Sequence, residues 1–449
     1  MLAAMALPLV ALSMDINGIG TVLPSIRTGL HTSFARANWV VSASTLAFAV
    51  ALLPAGRWSA RRGRRRIFLV GVVLLGVSGV VCGVTPGIYL LVAARAVQGL
   101  AGALCFTTSL AVVDAAFTEE RRPAAVGAFG AISGVGAAAG PLIGGAMVAW
   151  FSWRGFFIVN AVLCLASVPA LLALVPADRP ETGAPALPAL RLAALSAGVV
   201  LSVVAIGSIA TRGVATVLAE VAAALVAFAV AWWSARRPGT SELLLPGVRR
   251  APYLAPTVAV AFASTWAFGV TLVYSAVYLQ EVAGYAPLES GALFALYCAS
   301  FAGVGAGIGP LVRRLGPHAS LVGAMALGTV GLVLLMVLGA AAPLAVVVVV
   351  LIVAGAGQGL CFDCSTASAL EGVPLRAAGE SSALAQAARL VGFSVGVALS
   401  ATIAADLGTT AHDLPDTVRA VFAVAAGVSL IGTVVTLFLR ASALSTIGA

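Results

Sequence analysis

Long apolar runs recur along this chain, and its polar positions gather in the short breaks between them. The runs lie at about 3–26, 39–58, 67–86, 88–113, 124–150, 155–176, 190–210, 214–234, 254–281, 289–312, 318–339, 344–369, 378–405 and 417–440, fourteen in all. Crossing the hydrocarbon core of a bilayer takes about 20 residues of helix. At that length a helix is the form that satisfies its own backbone in lipid, so each run predicts a transmembrane helix. The first run has no basic stretch before it, carries Asp15 inside it and continues past any plausible cleavage site. It is expected to be a span rather than a signal peptide.

Composition closes off the soluble classes. Of 449 residues, 61% are hydrophobic and 9% charged, with a mean hydropathy of +1.09. A soluble domain carries about 25% charged residues, so this chain lacks the charge to cover a water-facing surface. A disordered chain, a coiled coil and a disulfide scaffold are excluded on the same ground. Cys82, Cys105, Cys164, Cys298, Cys361 and Cys364 all fall inside apolar runs, which implies no extracellular disulfide framework. Cys361 and Cys364 form a lone CxxC that reads as two small helix residues rather than a redox or metal site.

The net charge of +9 changes the picture only through its placement. All 25 basic residues are arginine, and none lies in a soluble basic region, so no nucleic-acid partner is expected. With the N-terminus inside, 18 arginines fall in loops on the inner side and five, Arg27, Arg36, Arg154, Arg212 and Arg419, on the outer side; Arg95 and Arg389 lie within spans. Basic excess marks the cytoplasmic side, which predicts that both termini are cytoplasmic. Trp39, Trp150 and Trp153 then sit at the outer interface, with Trp58, Trp232 and Trp233 at the inner one.

The chain repeats itself. Gly56-Arg-Trp-Ser-Ala-Arg61-Arg62-Gly63 follows the second run, and Gly309-Pro-Leu-Val-Arg313-Arg314-Leu-Gly316 follows the tenth, 253 positions later. Gln98-Gly99-Leu100 of the fourth run returns as Gln358-Gly359-Leu360 in the twelfth, at an offset of 260. Two six-helix halves with an inserted pair explain both offsets. The expected division is a first bundle over 1–176, linkers and the inserted pair (about 190–210 and 214–234) over 177–253, and a second bundle over 254–449. Transporters are commonly built from such repeats, with the substrate site near the bilayer midplane.

Several strings carry a resemblance. The loop after the second run reads GRWSARRGRRR, where Gly56 and Gly63 permit a tight reversal and close helix approach beside Arg61 and Arg64. The fourth run holds Arg95-Ala-Val-Gln98-Gly99-Leu-Ala-Gly102, with small residues suited to helix packing. The fifth holds Gly136-Ala-Ala-Ala-Gly140-Pro141-Leu-Ile-Gly144-Gly145, and Trp153-Arg154-x-x-Phe157-x-x-Asn160 opens the sixth. Asp15, Asn17, Leu23 and Pro24 mark the first run; Gly379-x-Ser381 through Arg389-x-x-Gly392-x-x-x-Gly396 mark the thirteenth. In this order the strings resemble the major facilitator superfamily, and within it the fourteen-span drug:proton antiporter branch. The resemblance covers essentially the whole chain, and the fifth-run motif is its most specific part. It implies an all-α membrane protein of two six-helix bundles plus two inserted helices. One departure stands out: the loop motif of the family has an aspartate where this chain has Ala60. In the family that aspartate belongs to a charge cluster latching the halves on the inner side, and its loss leaves the strength of that latch open here. Asp114, at the inner end of the fourth run, is still placed to pair with Arg64, and Glu371 lies at a similar place in the second half.

Buried acids are the candidates for chemistry. Of 16 acids, Asp15 and Asp363 lie deep in runs one and twelve, while Glu220 lies in the inserted pair. A charge at mid-span costs about 2.5–3.5 kcal/mol on insertion scales, and such residues face the bundle interior or a wet cavity. An antiporter needs a carboxylate that loads a proton from one side and releases it to the other. Desolvation disfavours the charged form and a nearby cation favours it, so changing access swings the proton affinity. Asp15 is the first candidate, with an aspartate satisfied by amides such as Asn17 as the structural alternative. Asp363 stands evenly between a substrate or proton site and a structural partner of Arg389. Arg95 resembles the arginine of the family's fourth span that assists proton movement; it holds its own proton, so its role is to tune a carboxylate. The substrate pocket is expected to be largely apolar with a few polar groups. Its candidates are Asn17, Gln98, Trp266, Phe268, Tyr274, Tyr278, Phe294, Tyr297, Gln386, Arg389 and Phe393, and an aromatic cavity with carboxylates would suit cationic or amphipathic compounds.

The resemblance implies a proton-driven exporter of small hydrophobic or amphipathic compounds in the cytoplasmic membrane. It is expected to be a monomer that uses no cofactor and no metal, in contact with protons, lipid and a small-molecule substrate. An importer of the same fold is the alternative, disfavoured by the fifth-run GxxxGPxxGG. A membrane-embedded enzyme has less support: His31, His318 and His412 lie apart at run ends or loops, and no HExxH, GxSxG or Walker loop occurs.

Overall fold

A computed structural model of the chain describes residues 2–116, 122–175, 193–194, 197–198, 200–202, 204–205, 214–235, 253–369, 378–408 and 412–445. Over these residues the structure is all-helical. The first six helices are α1 (Leu2–Gly29), α2 (Phe34–Arg62), α3 (Arg64–Val84), α4 (Ile88–Ala116), α5 (Arg122–Trp150) and α6 (Trp153–Leu174). Then come α7 (Val214–Ala235), α8 (Leu254–Val277) with a π turn at Tyr278–Val282, α9 (Pro287–Gly303) and α10 (Gly305–Leu315). The last four are α11 (Pro317–Val337), α12 (Leu344–Ser368), α13 (Ala378–Leu407) and α14 (Leu414–Ser445). Eleven of these stretches, α1–α6, α8 with its π turn and α11–α14, are long and apolar enough to cross a membrane.

More than half of the seventh run falls outside the described residues, and Glu371 and the loop arginines between residues 235 and 253 lie outside them entirely. The tenth run, expected as one helix, is instead two, broken at Val304 between Gly303 and Gly305. Flanking glycines make that break inexpensive, because they hold the helical backbone least firmly. Trp153, expected at the outer interface, is buried with its indole against Gly29, whereas Trp150 and Trp58 are exposed.

The chain divides into two compact units, one of Met1–Ser202, Leu218–Ser234 and Ala286–Ala295, the other of Val203–Val217, Ala235–Tyr285 and Leu296–Ala449. Inside the first, α1 packs on α5 and α6, α2 on α4, and α3 on α4 and α6. Inside the second, α8 packs on α13 and α14, and α11 on α12 and α14. The adjacencies of α1, α3 and their partners in one unit thus recur for α8, α11 and theirs in the other.

Glycine fixes these pairings. A Cβ at Gly136 would stand 2.7 Å from the Val10 carbonyl oxygen, and one at Gly140 would stand 2.7 Å from that of Met14. Gly392 and Gly396, which lie 256 positions later, face the backbones of Phe262 and Trp266 in the same manner. The α1/α5 and α8/α13 crossings therefore share one GxxxG device, in which small residues let backbones meet. Gly140→Leu is expected to force α1 and α5 apart and destabilise the chain by about 1–3 kcal/mol, read as a lowered unfolding temperature in detergent. Gly127→Ala on the same helix has open space around it and should leave that temperature unmoved.

The loop glycines divide. Gly63 ends α2 and precedes α3 at φ +95°, and its repeat Gly316 stands at φ +80° between α10 and α11, a region that favours glycine. Gly56 does neither job expected of it. It lies inside α2, more than a turn before the reversal, and no described atom lies within 4 Å of where a Cβ would stand.

Candidate functional site

The site in the first unit begins with a backbone contact. Gly99 of α4 lies where any side chain would collide with the Ser44 carbonyl of α2. One turn earlier on α4, that close approach brings the Arg95 Nε to 3.0 Å from the Val40 carbonyl oxygen, to which it donates. Arg95 is 2% exposed, too far from water for its charge to be solvated there. Its Nη1 donates to both carboxylate oxygens of Asp15 on α1 at 2.7 Å and to Gln98 Oε1 at 2.8 Å. The guanidinium also lies 5.7 Å from the centre of the Phe157 ring. Asp15 itself is 3% exposed.

This is a buried ion pair with hydrogen bonds to spare, the arrangement in which opposite charges are tolerated away from water. Gln98 bridges outward: its Oε1 also accepts from the Cys82 thiol at 3.4 Å, while its Nε2 has no partner among the described residues. The side chain of Asn17 turns back along α1 to donate to the Ser13 carbonyl at 2.8 Å. Asn160, from the motif that opens the sixth run, donates to the Ala11 carbonyl at 2.8 Å and helps hold the Asp15-bearing turn of α1 against α6.

Repetition of the fold makes the second unit an internal control. Gly359 repeats Gly99 and meets the Phe301 backbone, and the Arg95 position is taken by Gly355, which meets that of Tyr297. Gln358, the repeat of Gln98, accepts from the Tyr297 hydroxyl at 2.7 Å and donates to Thr271 Oγ1 at 3.1 Å. The same scaffold thus carries a neutral network in one unit and an ion pair in the other.

A second buried arginine sits in α13. Arg389 is 6% exposed. Its Nη2 donates to the Phe362 carbonyl at 3.0 Å, Ser365 Oγ at 2.8 Å and Thr366 Oγ1 at 2.7 Å; Nη1 donates to Gln386 Oε1 at 3.2 Å. Asp363, a candidate for its partner by depth, makes no ion pair with it among the described residues. That carboxylate turns instead toward the start of α10, with Oδ2 3.2 Å from where a Cβ on Gly305 would stand.

The aromatic candidates separate by what they touch. Tyr274 is fully buried and donates to the Ser400 carbonyl at 2.7 Å. Tyr278 donates to that of Gly339 at 2.9 Å, and Tyr297 to Gln358 as described. Trp266 is buried beside Phe262, with its indole nitrogen unpartnered among the described residues. Phe294 is buried, and Phe393 is buried with its ring 5.9 Å from that of Phe268. Of the gating positions, Gly136, Gly140, Pro141, Gly144 and Gly145 are all buried along α5, while Arg61 is exposed and Arg64 half-buried. Asp114 lies in α4, but its side chain falls outside the described residues.

The sequence points to Asp15, Arg95 and Gln98, marks Phe157 only as part of the sixth-run motif, and gives no sign that Val40 or Cys82 joins them. A carbonyl acceptor leaves no residue signature, and a lone cysteine in an apolar run carries none either. The hydroxyls of Ser365 and Thr366, one α-helical turn from Phe362, are equally silent in the sequence.

Comparison with known proteins gives this geometry its family. The family model described as Major Facilitator Superfamily matches residues 5–397, and the chain belongs to that superfamily. Among curated relatives, it is 31% identical to the multidrug resistance protein Stp of Mycobacterium tuberculosis, over 91% of this chain and 76% of that one. It is 29% identical to the tetracenomycin C resistance and export protein of Streptomyces glaucescens, over 89% of this chain and 74% of that one. Among solved structures, it resembles a bacterial homologue of the human lysosomal transporter Spinster with a TM-score of 0.71. That match is 14% identical and covers 99% of this chain and 97% of the other, a likeness of fold alone. The chain is a multi-pass membrane protein.

Proposed function

We propose that this protein is a proton-coupled antiporter that exports small hydrophobic or amphipathic compounds, among them drugs, antiseptics or antibiotics, across the cytoplasmic membrane. The observation that carries the reading is the buried Asp15–Arg95 pair, present in one repeat and replaced by a neutral network in the other. Relatives named for multidrug resistance and for tetracenomycin C export supply the direction and the kind of cargo. On this reading both termini are cytoplasmic, and the chain comprises fourteen spans divided at about 1–176, 177–253 and 254–449. It works as a monomer without cofactor, metal or nucleic acid, driven by the proton gradient.

Coupling follows from access. With the Asp15 carboxylate held on Arg95, the charged form is stabilised by an adjacent cation. When that cation is drawn elsewhere, or water is excluded, the protonated form gains. A compound entering the site competes for the same groups and favours proton release. Gln98, which accepts from Arg95 Nη1, and Asn17 of α1 are candidate substrate contacts, and Gly136, Gly140 and Gly144 of α5 give α1 a close-fitting surface. Asp363 is a second candidate proton site, and Trp266, Tyr274, Tyr278, Tyr297, Gln386, Arg389 and Phe393 are candidate substrate contacts.

The test uses everted vesicles carrying the protein and a fluorescent cationic dye. An imposed gradient, acid inside the vesicle, should drive dye uptake that collapses when a protonophore is added. Uptake that ignores the gradient, or needs ATP, would remove proton coupling from the account. Accumulation by whole cells rather than export would favour the importer reading.

A further inference from the structure

One nitrogen in the first unit serves three acceptors. Arg95 Nη1 carries two hydrogens, yet Asp15 Oδ1, Asp15 Oδ2 and Gln98 Oε1 lie 2.7, 2.7 and 2.8 Å from it. Gln98 is 1% exposed, so bulk water does not stand in for its oxygen. The Cys82 thiol donates to that same oxygen at 3.4 Å, while Nε2 has no partner among the described residues.

The second unit shows what the same scaffold does with a glutamine when no ion pair is present. Val10 and Met14 of α1 meet α5 as Phe262 and Trp266 of α8 meet α13, at an offset of 252. In that register Thr271, which accepts from Gln358 Nε2 at 3.1 Å, falls at the position of Ile19, and Ala267 falls at that of Asp15. Gln358 is therefore bonded at both ends of its amide, whereas Gln98 is bonded at its oxygen alone. A buried N–H left unpaired is a cost. In the first unit the contact of the oxygen with a cation, a charge-assisted hydrogen bond, offsets it.

We infer that Gln98 is a positioning residue for the coupling step: its oxygen holds Arg95 in place while the Asp15 carboxyl is protonated. A proton arriving from water forms an O–H bond on Asp15, and the charge that drew Nη1 to the carboxylate is lost. Gln98 Oε1 then remains for Nη1, and the Val40 carbonyl remains for Nε at 3.0 Å. The guanidinium stays where the ion pair re-forms once the proton leaves. Without the Gln98 oxygen, the buried cation depends more heavily on the carboxylate, so the ionised form of Asp15 is favoured. Among the described residues, Cys82 of α3 and Cys164 of α6 are the other titratable side chains that sense the Asp15 charge. The remaining charged residues of α1 to α6 lie near helix ends. The role rests on the proton-coupling reading above and is separate from substrate contact, which would use Nε2.

The experiment is an infrared pH titration of the purified full chain in phosphatidylcholine nanodiscs, following the carbonyl stretch that a protonated carboxyl has and a carboxylate lacks. The Asp15 band is the one that Asp15→Asn removes. Gln98→Met keeps the length of the side chain and loses the oxygen. It should move the midpoint of that band to lower pH by about one unit, a roughly tenfold loss of proton affinity, from the strength of a hydrogen bond to a charged group. Gln358→Met, the matching change in the other unit, should leave the midpoint in place. If Gln98→Met does not fold, Cys82→Ser decides: its hydroxyl is a stronger donor than the thiol, competes for the same oxygen, and should move the midpoint in the same sense by less. A midpoint that stays put or rises in the folded variant overturns the role, as does an equal shift in Gln358→Met. The predicted shift without gradient-driven dye uptake in vesicles supports the role and sinks the exporter reading. Gradient-driven uptake without the shift does the reverse, and absence of any Asp15 band overturns both.

Discussion

Asp15→Asn is expected to abolish uphill export while leaving the protein folded and able to exchange substrate across the membrane. The reasoning starts from the contact itself. Asparagine keeps the shape of Asp15 and one oxygen for the Arg95 Nη1, which in the unaltered chain donates to both carboxylate oxygens at 2.7 Å. It cannot cycle between a charged and a neutral form. Coupling to a membrane potential is worth about 2.3 kcal/mol per charge per 100 mV, which is roughly a fiftyfold concentration ratio for each proton exchanged. That ratio should fall to unity in the variant. Counterflow, in which labelled compound enters vesicles preloaded with unlabelled compound, should continue, because it needs no net proton movement. Loss of both activities would assign Asp15 to structure rather than coupling.

Arg95→Gln should be the more damaging of the two changes to stability, and the damage should be largely relieved by adding Asp15→Asn. Removing one member of a buried pair leaves an uncompensated charge and costs about 3–5 kcal/mol, whereas removing both is often nearly neutral. Arg95 also donates to Val40 and Gln98, so part of the loss should persist in the double variant. Thermal unfolding of the four proteins in one detergent forms a double-mutant cycle. A large favourable coupling between the two positions is the expected result. Additive losses would mean that the two side chains do not sense each other.

Much of the architecture is legible in the hydropathy of the chain. Eleven of the fourteen apolar runs correspond to α1–α6, α8 and α11–α14, because a span long enough for the bilayer leaves a plain hydropathy signal. The break in the tenth run does not show, since Gly303 and Gly305 bracket Val304 in a stretch that is apolar throughout. Hydropathy is blind to backbone geometry. The arginine-rich reversal at Gly63 can be anticipated, and its repeat at Gly316 follows from the offset of 253. The GxxxG pair at Gly392 and Gly396 is visible as a motif, but its equivalence to Gly136 and Gly140 emerges only from the helix crossings.

The site is legible in its charges and silent in its neutral partners. Two ionisable residues deep in runs one and four, Asp15 and Arg95, have few ways to be satisfied except by each other. The identity of the other acceptors cannot be foreseen, because any of dozens of carbonyls would serve as well as Val40. Asp363 and Arg389 show the converse. Depth alone favours a pair, yet Ser365, Thr366, Gln386 and the Phe362 carbonyl satisfy the guanidinium's terminal nitrogens and free the carboxylate to face α10. Aromatic residues mislead in a similar way. Tyr274 and Tyr297 are drawn to carbonyl and amide partners inside their own unit, which nothing in an apolar run foretells.

The central claim is that the Asp15 carboxylate exchanges its proton for substrate, and proton release upon binding tests it most directly. Purified protein in weakly buffered detergent solution, mixed with a transported compound in the presence of a pH-indicating dye, should acidify the medium in proportion to the compound bound. Asp15→Asn, at matched occupancy, should release no proton. Equal acidification by the variant would contradict the claim.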